Sequence, residues 1–414
     1  MYANRNGRGD GMIYEIRKLF SSRLMLVCIV LLMGFFAVFV MNAHKAKSVL
    51  PEYNRLLDDI SQTDGDIDAK IELLRQKSEW LNQQVFEKGD AAGSTAGEYG
   101  TNLIGDMILF SKANTDMQQW YKDFPENRKS IVINSVYNIE DEKAKANPDK
   151  TIIEMNELSI EKYNRKIEMP LRNAGDLFNT LYYFDNTVWD YAMIVFVIML
   201  TVRLFLLDRS VGAYQVLYSS VVRKRRLFVD QYLAVWTVST VILFVTSICQ
   251  IICGALFFGV GSLSLPIQMT KYFEFCPYLI TVGEYYIIKL GCKLLFYTAL
   301  ISVTALLSIS IKKAAIAMPL SAILSIVPLV IITFYFTHTT GDNVNALSQH
   351  YQIYKLLQLF VPQALLNIKT YFIGFDYVNA GILLPRITVC ILATAVIAVI
   401  CFVISAHKFA KPRG

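Results

Sequence analysis

The side chains that most often carry chemistry are few in this sequence and poorly spaced for it. Four histidines occur among 414 residues, His44, His338, His350 and His407. None has a second ligand at helical spacing, and no C-x-x-C or H-E-x-x-H is present, so a zinc site has nothing to be built from. A phosphate loop of the form G-x-x-x-x-G-K-[S/T] is also absent, which removes the usual cradle of backbone amides for ATP. The nearest string, GALFFGVG at 254–261, lies in an apolar stretch without the lysine, and its glycines suit helix packing. No G-x-S-x-G elbow points to a hydrolase. The expectation is a chain with no catalytic residue, metal or cofactor of its own.

What remains is charge set in apolar surroundings. Arg203 interrupts the run Tyr191 to Leu207 four residues before its end. A charge at mid-bilayer costs roughly 3 kcal/mol on insertion scales, but near an end a long side chain reaches the headgroups. Glu284, Lys289 and Lys293 stand in GEYYIIKLGCKLLF. Lys289 and Lys293 are one helical turn apart on one face, which puts two ammonium groups near an outer mouth. They are read either as interfacial anchors beside Tyr285 and Tyr286 or, with Arg203 and Glu284, as part of a pathway.

The elements that must position these groups follow from composition. The sequence is 54% hydrophobic and 18% charged, with a mean hydropathy of +0.39, against about a quarter charged in soluble domains. Residues 43–188 hold 18 Lys+Arg and 25 Asp+Glu, while the other 268 positions hold 22 and 9. One region suits water and the other does not, which excludes a soluble enzyme or a cytosolic nucleic-acid binder. Crossing about 30 Å of hydrocarbon takes about 20 apolar residues, and six such runs appear: 24–42, 189–207, 227–260, 291–311, 314–336 and 386–407. Basic residues cluster in 1–23, in 208–226, at Lys312-Lys313 and in the tail 408–414. By the positive-inside rule these four lie on the cytoplasmic side, leaving 43–188, 261–290 and 337–385 outside. Residues 24–42 read as an uncleaved anchor. The fold class is an all-α membrane protein, six spans with a large, mostly helical extracellular domain between the first two.

In that domain the apolar positions Tyr53, Leu57, Ile60, Ile67, Ile71, Leu74, Leu81 and Val85 form a heptad seam, broken at Thr63-Asp64-Gly65-Asp66, where an Asp caps the next helix. The spacing predicts a second helix over 152–169, ending or kinking at Pro170. AAGSTAGEYG at 91–100 suits a turn at the tip, and Ser130 to Tyr137 alone offers a strand pattern. No cysteine falls in 43–188 and the chain has no Asn-x-Ser/Thr sequon, which points to a bacterial surface. Among the seven cysteines only Cys276 is expected outside. Residues 351–368, broken by Pro362, are too short to span and read as re-entrant or interfacial. Residues 10–22 form an amphipathic interfacial helix, with Tyr14, Phe20 and either Ile13 or Ile16 toward lipid and Arg17, Lys18 and Arg23 toward headgroups.

The most specific signal is LLDRSVGAYQVLYSSVVRKRRLFVDQYL at 206–233. An acidic residue, Asp208, precedes Gly212; an apolar-aromatic stretch with Tyr214, Leu217 and Tyr218 leads to Ser219-Ser220; Arg223 and Arg225 follow. With the order of the spans, this resembles the permease subunits of bacterial type-2 ATP-binding-cassette exporters. Val221 stands where that family usually has proline, and Gln231 where lysine is usual. The resemblance implies a coupling segment made of Asp208, Gly212, Tyr214, Leu217, Tyr218, Ser220, Arg223 and Arg225. It also implies two cytoplasmic ATPase subunits that carry ATP and Mg, a second permease, and export of an amphipathic peptide, lipid-like or drug-like substrate from a multi-pass protein of the cell membrane. The rival reading is a membrane-anchored sensor or structural protein whose helical ectodomain binds a ligand or partner.

Overall fold

The computed structural model describes residues 8–20, 30, 33, 34, 37, 56, 59, 60, 62, 64–91, 110, 111, 113–167, 187–210, 224–258, 263–269, 273–311, 313–339, 349–379 and 382–410. Most of the expected first span, 24–42, and the tip turn at 92–100 lie outside them. Val30, Met33, Gly34 and Ala37, the described positions of 24–42, are helical.

The helices are α1 (Arg8–Phe20), α2 (Ile67–Ala91), α3 (Phe124–Lys143), α4 (Lys150–Tyr163), α5 (Thr187–Ser210), α6 (Lys224–Phe258), α7 (Val282–Ile311), α8 (Ala314–Thr339), α9 (Gln349–Phe360) and α10 (Arg386–Ala410). Among the described residues, α5, α6, α7, α8 and α10 are long and apolar enough to cross a membrane. Their charge-poor composition leaves the helix as the one conformation that satisfies its own backbone in hydrocarbon. α5 is central, with 72% of its apolar stretch buried, whereas α10 buries 22% and presents Leu392, Val396, Val399 and Val403 outward. α6 and α8 likewise expose Phe244, Val245 and Ile248, and Ile323, Val327 and Val330. Such faces suit lipid tails.

The helix expected from residue 291 begins at Val282, so the end of the stretch 261–290, expected outside as an extracellular return and interfacial helix, is one rod with the span. Its thirty residues make it about 45 Å long at 1.5 Å per residue. The start is a capping box: Glu284 N–H donates to Thr281 Oγ1 (3.2 Å) and Thr281 N–H to Glu284 Oε2 (2.7 Å). The ends of 208–226 also belong to their flanking helices, 208–210 to α5 and 224–226 to α6.

The polar insertion is helical where described. The heptad break lies where the pattern puts it: Gly65 has a φ of 133°, a left-handed value that glycine adopts freely, and Asp66 Oδ1 accepts from Ala69 N–H at 2.9 Å. Ile60, Ile71 and Leu74 are buried, packing with Ala113 and Met117, and Leu81 is buried further along α2. Ile67 is exposed instead.

Two expectations are corrected. Ser130 to Tyr137 is helix, within α3, because its buried seam runs Phe124, Arg128, Ser135, Ile139 and Glu142 at helical spacing against α4. The second helix stops at Tyr163 rather than near Pro170, and its terminal carbonyls turn onto Arg128. A wide π turn, Gln119–Asp123, leads into α3, where Pro125 has no N–H to continue a regular ladder.

The segment 349–385 is α9, two short 3₁₀ turns (Pro362–Leu366 and Ile368–Tyr371) and a hairpin of β1 (Tyr377–Asn379) and β2 (Leu383–Pro385), antiparallel with Val378 opposite Leu384. The helix ends just before Pro362 because residue 361 is held in extended backbone.

Candidate functional site

Five chain segments meet at one end of the bundle. Phe205 near the end of α5 lies 5.6 Å between ring centroids from Phe228 at the start of α6, and Phe409 at the end of α10 lies 6.4 Å from Phe205 and 5.6 Å from Phe228. Tyr232 and Phe402 extend the cluster at 4.8 Å, edge to face. Lys408 Nζ donates to Ser310 Oγ (3.2 Å), which brings in the end of α7. α1 completes it: Leu19 is buried, and Met12 Sδ accepts from Thr237 Oγ1 at 3.9 Å. Gly11 lets the Asp230 carboxylate lie against α1, since a β-carbon there would lie 2.4 Å from Asp230 Oδ2 and the carboxylate would have to turn aside. Ile13, Tyr14 and Phe20 are exposed while Ile16 packs inward, so Ile13 is the one that faces out.

This end carries Arg17, Lys18, Lys224, Arg225, Arg226, Lys313 and Lys408. Of the coupling positions, Arg225 is exposed in the first turn of α6, and Asp208 lies in the last turn of α5. Gly212, Tyr214, Leu217, Tyr218, Ser220 and Arg223 lie outside the described residues. Arg203 is half-buried on α5, about two turns before the helix ends.

The opposite end holds a buried ion pair. Lys293 Nζ donates to Asp190 Oδ1 at 2.6 Å, joining α7 to α5, with side-chain exposures of 9% and 6%. Lys289, one turn earlier, and Tyr297, one turn later, are each 2% exposed. An anchor in the headgroup layer would expose its ammonium, so the interfacial reading of both lysines is corrected. Glu284 is exposed, apart from them, and its carboxylate caps α7. The sequence reading passed over Asp190. Its signal was an acidic residue at the start of one apolar run and lysines inside another, opposite charges that low dielectric drives together.

Around that end the insertion is docked. Tyr163 O–H donates to Phe275 O (2.7 Å), Asn127 Nδ2 to Glu274 Oε1 (2.7 Å) and Asn379 Nδ2 to Thr151 Oγ1 (2.8 Å). Arg128 Nη2 donates to the carbonyls of Lys162 (3.0 Å) and Tyr163 (3.1 Å) at the end of α4, and its guanidinium lies over the Phe124 and Tyr163 rings. Burial pulls the Arg128 guanidinium below its ordinary value and pushes the Tyr163 phenol up. Asp376 gathers Lys355 (2.9 Å) and Arg386 (2.8 Å), fixing the hairpin to the first residue of α10. Chemically this array can hold buried charge and transmit displacement; among the described residues, no group of three or more acidic, His or Cys side chains could hold a metal ion.

Comparison with known proteins adds one finding. A family model described as ABC-2 family transporter protein matches residues 19–407. No curated protein and no solved structure matches the chain.

Proposed function

We infer that this chain, which belongs to the ABC-2 transporter family, is the permease of an exporter whose ATP chemistry resides on separate cytoplasmic ATPase subunits. The family makes it the membrane component of an ABC transporter. The observation that carries the finer reading is the convergence of α1, the end of α5, the start of α6 and the ends of α7 and α10 on a single basic face. A face rich in Lys and Arg stays cytoplasmic, so the end of α5 and the start of α6, which the coupling positions join in sequence, lie on that side, where Phe205, Phe228 and Phe409 cluster. A partner pressing on those coupling positions moves α5 and α6 directly.

The polar insertion and the hairpin then lie outside, and the substrate is amphipathic, released past the end where Asp190 pairs with Lys293. A second permease completes the assembly. What speaks against a mere anchor is that the insertion is bonded to the loops of the bundle through Tyr163, Asn127 and Asn379. A ligand-collecting ectodomain has no need of those contacts.

The test is purification of the tagged chain in mild detergent. A phosphate-loop ATPase should accompany it, and Gly212→Val or Tyr218→Asp should uncouple hydrolysis from transport while the protein stays in the membrane. If both variants keep full transport and ATPase association, the coupling assignment falls.

A further inference from the structure

Pro328 lies inside α8, where its nitrogen has no hydrogen to give, so the carbonyl four residues earlier, Leu324, loses the donor that a regular helix provides. An unsatisfied carbonyl in a dry bundle costs about 1–3 kcal/mol, and membrane helices keep prolines when a neighbouring group meets the freed carbonyl. Here the donor comes from a different part of the chain. Gln363 Nε2 lies 3.0 Å from Leu324 O and 3.2 Å from Ser325 O. One side-chain amide has two hydrogens, and two carbonyls receive them. No hydroxyl within the helix does this work, because Ser325 Oγ donates to Ser321 O at 2.8 Å.

The position of Gln363 is itself tightly held. It is 7% exposed, in the turn Pro362–Leu366, whose Ala364, Leu365 and Leu366 are buried and which packs among α7, α8 and α10. The flanks are bonded as well: Tyr371 O–H donates to Gln358 O (2.6 Å), Gln358 Nε2 to Thr370 Oγ1 (2.7 Å), and Cys390 Sγ on α10 approaches Val361 O at 3.8 Å.

We propose that Gln363 is a splint for α8 at Pro328, a positioning residue through which the turn 361–372 and the middle of α8 behave as one body. The helix at Pro328 is then locked rather than free to hinge, and displacement of α8 carries the α9 region with it. This inference does not depend on the exporter reading, because it concerns two carbonyls and one amide.

A double-substitution cycle on the full chain in mild detergent tests it. Gln363→Leu removes both donors at similar size, and Pro328→Ala gives Leu324 back an intrahelical N–H. Hydrogen exchange of peptides covering 321–333 should rise about tenfold in Gln363→Leu, the factor that corresponds to 1.4 kcal/mol. In the Pro328→Ala background the same substitution should change exchange by less than about twofold. An equal rise in both backgrounds would make Gln363 a packing residue and overturn the proposal, as would no rise in either. If Gln363→Leu alone does not accumulate as folded protein, its rescue by Pro328→Ala is the expected outcome, and failure of that rescue counts against the splint.

Discussion

Substituting either member of the Asp190–Lys293 pair should damage the protein far more than substituting both. The two groups are 2.6 Å apart with side-chain exposures of 6% and 9%, so removal of one leaves a charge in an apolar bundle. Breaking a buried pair from one side costs about 3–5 kcal/mol, whereas replacing both partners by apolar groups of similar size is often neutral or stabilising. Asp190→Leu and Lys293→Leu are therefore each expected to cost several kcal/mol, and the double variant within about 1 kcal/mol of the parent. At about 2 °C per kcal/mol, the lower end for larger domains, each single variant should lower Tm by about 6–10 °C. The assay is thermal unfolding of the purified full chain in mild detergent, followed by tryptophan emission. Single variants that shift Tm by less than about 2 °C, or a double variant no better than the worse single one, would show that the pair is not desolvated and refute the reasoning.

Gly11→Val should turn the Asp230 carboxylate away from α1 and loosen the contact of α1 with α6, read as faster hydrogen exchange in peptides covering 8–20, whereas Gly11→Val together with Asp230→Ala should restore the parent rate. Cys276 is buried and its thiol is pushed up to about 12 by burial; being above its ordinary value it is almost wholly protonated near pH 7, and a maleimide should label it only after unfolding. In α2, hydrogen bonds from Arg75 hold the Glu72 carboxyl down at about 2. That support is therefore present above the unfolded value of about 4.3 and is lost as pH falls toward 2, and Arg75→Gln should move the Glu72 titration, read by carboxyl NMR, up toward 4.3. Single cysteines at Ser94 and Asn343, with the native cysteines replaced, should react with an impermeant maleimide in intact cells and one at Ser219 should not; labelling at Ser219 would invert the orientation.

Local features were legible in the sequence and distant pairings were not. The break at Gly65 and Asp66 could be read because a left-handed glycine and a capping carboxylate act within four residues. The long apolar helices could be read because hydrocarbon imposes length. Ser130 to Tyr137 is misleading: Ile131, Val132, Ile133 and Val136 are β-branched, which favours a strand, yet the face α3 buries includes the polar Arg128, Ser135 and Glu142. Hydrophobic periodicity does not register a seam closed by Ser135 Oγ and Ser159 Oγ at 3.2 Å or by a guanidinium on helix-end carbonyls. Sequence leaves Lys293 between an interfacial anchor and a pathway residue because its partner, Asp190, is 103 residues away. Gln363 and Pro328 are each ordinary in sequence, and only their juxtaposition gives them meaning.

The two neighbouring helices α7 and α8 differ in how they respond to force. α7 is free of proline from Val282 to Ile311, a strut of about 45 Å whose far end is tied through Ser310 to α10 and whose near end begins at the loop that Tyr163 and Asn127 grip. A stiff strut under axial load translates as a whole, so a displacement at its Ser310 end would reach the insertion with little lost to bending. α8, with prolines at 319 and 328, is instead braced at the second of them by Gln363, so the two neighbours are kept straight by different means, one by its own uninterrupted ladder and the other by an adjoining turn of chain.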